Sequence, residues 1–176
     1  MASCYVCARR NPDLKTFHWT VPLVAILTAV TGCGDPYARY GAAVHDDVDA
    51  ANAAAFQMTA RLQLTVVHNT IPDDSVPIAA RIVTEAARGV RKRAVHFARV
   101  TPPPDLAEAH AGLSAALTRV ADALDSMGAV LHRCTQAPCQ AQLDSLSSQF
   151  GFVGEDLRYA KAHTQRLLLR HGVLLR

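Results

Sequence analysis

From Leu106 onward, apolar side chains return at Leu113, Leu117, Val120, Leu124, Met127 and Leu131, with His110 in the same line. The steps alternate strictly between four residues and three. A chain with this period has one continuous apolar seam when wound as a helix and no coherent face when drawn out as a strand. The seam must be covered by another helix. Leu143, Leu146, Phe150, Val153, Leu157, Ala160, Thr164 and Leu167 repeat the same spacing further along. Two long helices are therefore predicted, from about Pro104 to Arg133 and from about Pro138 to His171. Gly151 and Gly154 are candidate kink points in the second.

Two shorter amphipathic stretches precede them. Val44, Val48, Ala51, Ala55, Met58, Leu62 and Thr65 place a first helix at about Val44–His68. Asp46, Asp47 and Asp49 fall in its first turns, where the helix dipole favours acids. Ile82, Val83, Ala86, Val90, Ala94 and Phe97 place a second helix at about Ser75–Val100. Asn69-Thr70-Ile71-Pro72 separates these two, and Thr101-Pro102-Pro103-Pro104 separates the second from the third, because proline cannot continue a helix. A hydrophobic content of 50% with only 6% aromatic residues suits helices packed on helices. The expected fold is all-α, an up-down-up-down four-helix bundle over 44–176.

The first 35 residues have a different character. Arg9, Arg10 and Lys15 stand against Asp13, and Val21–Val30 is free of charge. A basic region followed by a short apolar one is the layout of a secretion signal, and the apolar run is too short for a membrane span of ~20 residues. It ends in Val30-Thr31-Gly32-Cys33. This ending resembles the lipobox of bacterial lipoproteins, an aliphatic residue and two small ones before a cysteine. The resemblance covers the targeting segment alone. It implies cleavage before Cys33, acylation of its thiol, and a stable tether, since several acyl chains hold where one does not. An ordinary signal peptide or an uncleaved anchor is the alternative. On the lipoprotein reading, 1–32 is signal, 33–43 a short tether and 44–176 the bundle. Gly34 after the cysteine, rather than Asp, points to the outer membrane, with the domain facing the periplasm.

Five cysteines leave at least one unpaired by disulfides. Cys4 and Cys7 form a CxxC motif, but it lies upstream of the predicted cut and lacks a second pair. Cys134 and Cys139 bracket the last interhelical turn, where a disulfide fits an antiparallel helix pair. Two free thiols or a two-ligand metal site are the alternatives.

Antiparallel geometry sets His96, His110 and His163 at a similar level, toward the tethered end. They are the candidate ligands for a metal ion or a b-type haem inside the bundle. The plainer alternative is surface and boundary histidines. Arg91, Lys92, Arg93, Arg166 and Arg170 crowd the helix ends nearest the tether. They suit either the helix dipole or an anionic membrane surface. A net charge of +3 with no long basic stripe argues against nucleic acid.

No GxSxG, HExxH, Walker loop or paired-carboxylate motif occurs. The sequence is therefore read as a lipid-anchored cell-envelope bundle, a non-enzymatic adaptor, scaffold or binding protein without a resident cofactor. Its expected partners are the membrane and either an envelope protein or a second copy of the chain. A periplasmic metal- or haem-binding bundle is the second reading.

Overall fold

The computed structural model describes residues 34–66, 70–134 and 140–175, all within one compact unit. Cys33, Cys139 and the predicted signal lie outside these residues, as does His68.

The chain is an all-α helical bundle. Its first rod starts earlier than the apolar spacing suggested. Asp35 caps α1 (Pro36–Val44), its Oδ1 accepting the Tyr37 N–H at 3.0 Å. Pro36 takes the first helical position, where a missing N–H leaves nothing unsatisfied. The rod continues through a π-helical turn at His45–Asp49 into α2 (Ala50–Gln63). Residues 36–43, expected as tether, are thus helix, with Tyr40 and Gly41 buried. The rod also stops at Gln63, short of the expected end.

Next come α3 (Val76–Phe97), a 3-10 turn at Pro104–Leu106, α4 (Ala107–Cys134) and α5 (Gln140–Arg170). These match the expected positions to within a few residues. The helix α5 runs unbroken through Gly151 and Gly154. Neither glycine faces a neighbour that would exploit the missing side chain, and the flanking apolar contacts hold the helix.

Contacts give the topology. Asp47 meets His96 while Arg61 meets Glu85, so the first rod and α3 run in opposite directions. Phe97 lies against His110 while Thr84 lies against Gly128, so α3 and α4 do the same. Arg119 reaches Asp156 on α5, and Gly41 on α1 lies beside Leu168. The centre of the core is the α4 seam: Leu106, Leu113, Leu117, Leu124 and Leu131 are almost fully buried.

The end of α5 is closed by a Schellman arrangement. Gly172 takes φ +73, its N–H bonds the Leu169 carbonyl, and the Val173 N–H bonds the Leu168 carbonyl. This turns the tail back onto α1. A Cβ on Gly41 would sit 2.8 Å from Val173 Cγ1, so the glycine is what admits the tail.

The two ends of the bundle are packed differently. Leu157 and Leu168 of α5 are buried, whereas Leu143, Leu146, Phe150 and Val153 are only half covered. Truncating a filled position costs about 2–5 kcal/mol, because the cavity adds to the lost transfer energy. Leu117→Ala is expected near the middle of that range. Leu146→Ala, on the half-covered stripe, is expected to cost about 1 kcal/mol. Urea denaturation followed by circular dichroism measures both, and equal losses would reject the uneven closure.

Candidate functional site

Three carboxylates hold the first rod to the rest of the bundle. Asp47 is buried in the π turn, its side chain 1% exposed. Its Oδ2 meets His96 Nδ1 at 2.7 Å and its Oδ1 meets an Arg93 guanidinium nitrogen at 3.5 Å. Two residues on, Asp49 is bonded to the Lys161 ammonium of α5 and lies 2.9 Å from His45 Nδ1. At the bundle end, Asp105 accepts the Tyr37 hydroxyl at 3.0 Å and meets His171 Nε2 at 2.9 Å. The Tyr37 and His171 rings stack at 3.6 Å between centroids. Desolvation pushes the Asp105 carboxyl up. Hydrogen bonds from Tyr37, its own backbone and His171 outweigh that and hold it below the ordinary value.

Beneath this surface lies an aromatic cluster. Tyr40, Phe97 and His110 touch one another, with ring centroids 4.7 to 6.2 Å apart. The Tyr40 hydroxyl and His110 Nδ1 share a hydrogen bond of 3.2 Å. Burial pushes the Tyr40 phenol up and the His110 imidazole down. Both shifts favour the neutral forms, as a low-polarity pocket requires.

The three histidines proposed as ligands are therefore occupied separately or exposed. His96 is bound to Asp47, His110 to Tyr40, and His163 is exposed on α5. Among the described residues no group of three or more His, Cys, Asp or Glu is placed to hold a metal ion. Sharing a level did not bring these rings to one point, because they project in different directions around the bundle axis.

The basic residues at the helix ends have different surroundings. Arg91 is held by Asp125 and Asp122 on α4, with 2.7 Å to the latter, and Arg93 lies near Asp47 while staying exposed. Lys92, Arg166 and Arg170 are exposed, without an ion pair among the described residues. Cys134 is the last residue of α4 and is engaged, while Cys139 lies outside the described residues. Among those residues, no helix is long and apolar enough to cross a membrane.

At the other end, α2, α4 and α5 leave a groove of about 270 Å³. Met58, Leu62, Met127, Leu131, Leu143 and Phe150 form its apolar walls. Thr59, Gln63, Asp144 and Ser147 add polar atoms to its lining. Phe56 on α2 and Phe152 on α5 do not line it and are about three-quarters exposed, at 76% and 74%.

The apolar spacing puts the acids of the π turn in a first helical turn from Val44, whereas the helix begins at Pro36 and they lie in its middle. The signal that would have corrected this is Asp35-Pro36, an N-cap followed by a proline at the first position, with Tyr37, Tyr40 and Val44 at helical spacing. Comparison with known protein families, curated proteins and solved structures finds no match for the chain.

Two outcomes follow from this geometry. Leaving a buried carboxylate without its partners costs about 3–5 kcal/mol. Arg93→Ala with His96→Ala is expected to destabilise by about 3 kcal/mol, and adding Asp47→Asn is expected to restore at least half. Chemical denaturation of the double and triple variants measures this, and no recovery would place the loss elsewhere. The second outcome concerns acid. The unfolded chain takes up a proton on His110 near the usual histidine value of about 6.5, and the folded chain only at lower pH. The contribution of a neutral His110 is therefore present above that value and lost as pH falls below it. Melting of wild type and His110→Phe from neutral pH to mild acid checks this: the gap should shift in favour of the variant, and parallel curves would reject the assignment.

Proposed function

We propose that the chain is a lipid-anchored helical bundle of the bacterial cell envelope, acting without catalysis as an adaptor, scaffold or binding protein. The observation that carries this reading is a coincidence of two boundaries. The lipobox-like Val30-Thr31-Gly32-Cys33 marks Cys33, and the compact unit begins at the next residue, Gly34. Asp35 then caps the first helix directly. A cut before Cys33 would leave a bundle with almost no linker between the acyl anchor and its first turn.

The periplasm-facing location bears on the cysteines. An oxidising compartment favours a Cys134–Cys139 disulfide across the last turn, and such a bond would brace the end where α5 is least covered. The half-covered groove between α2, α4 and α5 gives a binding role a surface remote from the tether. The separate engagement of His96 and His110 supports this reading over a metal or haem carrier.

The intact mass of protein extracted from the membranes of a Gram-negative host tests the proposal. The expected species begins at Cys33, carries acyl chains and gains one pair of hydrogens on reduction. Cys33→Ala is expected to lose labelling by palmitate and to leave the membrane fraction. An unlipidated wild-type chain retaining Met1 would overturn the envelope reading.

A further inference from the structure

The cations of α3 are distributed unequally between internal and external duties. The helix carries Arg81, Arg88, Arg91, Lys92 and Arg93 against a single acid, Glu85. Arg91 is taken up by Asp122 and Asp125, Arg93 by Asp47, and Glu85 is met by Arg61 of α2. Arg81, Arg88 and Lys92 remain exposed without an ion pair among the described residues, as does Arg99 in the turn after the helix.

Those remaining cations are collinear. With 3.6 residues per turn, Arg81, Arg88 and Lys92 fall within an arc of about 40° on the outer side of the helix. Arg99 extends the line past the helix end, for a total of about 27 Å at 1.5 Å per residue. Ile78 and Val95 flank this row and are each 46% exposed. No Phe, Tyr or Trp of α3 is exposed, and the one exposed ring beside the row, His96, is tied to Asp47.

We infer that this outer ridge of α3 docks side-on against an anionic lipid surface, so that the bundle lies along the membrane instead of standing on its end. A straight row of long basic side chains on a rigid rod meets a plane along its whole length. Their aliphatic stems and the two β-branched residues can enter the headgroup boundary while the charges stay at the phosphates. Single-stranded nucleic acid would call for aromatic platforms between the cations. The path of the chain is compatible with this pose. Pro36 and Arg39 border Val100–Pro104, so the described chain starts beside the Arg99 end of the ridge. The inference draws on the anchor reading for this proximity only.

The test separates the two. Full-length Cys33→Ser protein, which cannot be acylated, is sedimented with vesicles of phosphatidylcholine alone or with added phosphatidylglycerol. Any affinity contributed by the apolar 21–30 segment is shared by all variants and cancels in the comparison. The anionic lipid is expected to add binding over phosphatidylcholine alone, and high salt is expected to remove that increment. Arg81→Gln, Arg88→Gln, Lys92→Gln and Arg99→Gln combined are expected to weaken it about tenfold or more, with the circular dichroism spectrum unchanged. Arg166→Gln with Arg170→Gln is expected to change it less than twofold. A larger loss from the Arg166/Arg170 pair, equal binding to both vesicles, or binding to duplex DNA or heparin without binding to anionic vesicles would each overturn the inference. If palmitate labelling of the wild type fails while vesicle binding survives, the anchor reading alone falls. If labelling succeeds and vesicle binding does not, the ridge alone falls.

Discussion

Everything in this bundle is built on the buried seam of α4. Leu113, Leu117 and Leu124 are fully removed from solvent because α3 covers one side of the helix and α5 the other. The first rod has no comparable contact with α4 and reaches the core mainly through α3. This makes its attachment the weaker joint. The rod's fully buried apolar side chains are few, Tyr40, Val44, Val48, Ala51 and Met58, so burial alone gives it less than α3 or α4 gains. Polar contacts must then supply positional certainty that area does not.

That is the physical sense of the π turn. It lies where the first rod passes α3 and α5, and it presents Asp47 to one and Asp49 to the other. Burying Asp47 is costly unless it is paired, and the pairing with His96 and Arg93 offsets that cost in only one registry of the two helices. The clamps occupy one end, together with the Tyr40 cluster and the returning tail. Beyond them, α2 and α5 are joined by no such contacts among the described residues, and the groove forms there. Closure at one end and a half-covered α5 stripe at the other follow from where the acids sit.

The parts of this architecture carried by periodicity were legible in the sequence. The spans of α3, α4 and α5 and the breaks between them follow from apolar spacing and proline alone. Apolar spacing alone starts the first rod too late, because its opening turns mix tyrosine, glycine and alanine, which dilute the apolar signal, and only the cap at Asp35-Pro36 marks its true start. Side-chain pairing was less legible still. Level along an antiparallel bundle can be counted from the turns, and it set His96 and His110 near one another along the axis. Direction around each helix cannot be counted across a π turn, which shifts the phase of everything after it. The partners of the histidines were therefore carboxylates and a phenol on the first rod, which the sequence had placed in the tether or at a helix start.

The same pairing rule organises the surface charge. A modest net charge conceals a partition, because the acids of α4 and the π turn are committed to the inward-leaning cations of α3. Arg91 and Arg93 sit roughly a quarter turn to either side of Lys92, close enough to reach neighbouring helices. Arg81, Arg88 and Lys92 are exposed and have no ion-pair partner among the described residues. A composition count sees one basic helix, and the structure divides it into cations that hold the bundle and cations that face outward. A helix needing basic residues only to complement its dipole would gather them in its last turn. Arg81 and Arg88 lie outside the last turn of α3, so the dipole does not account for them, whereas the outward ridge proposed above does.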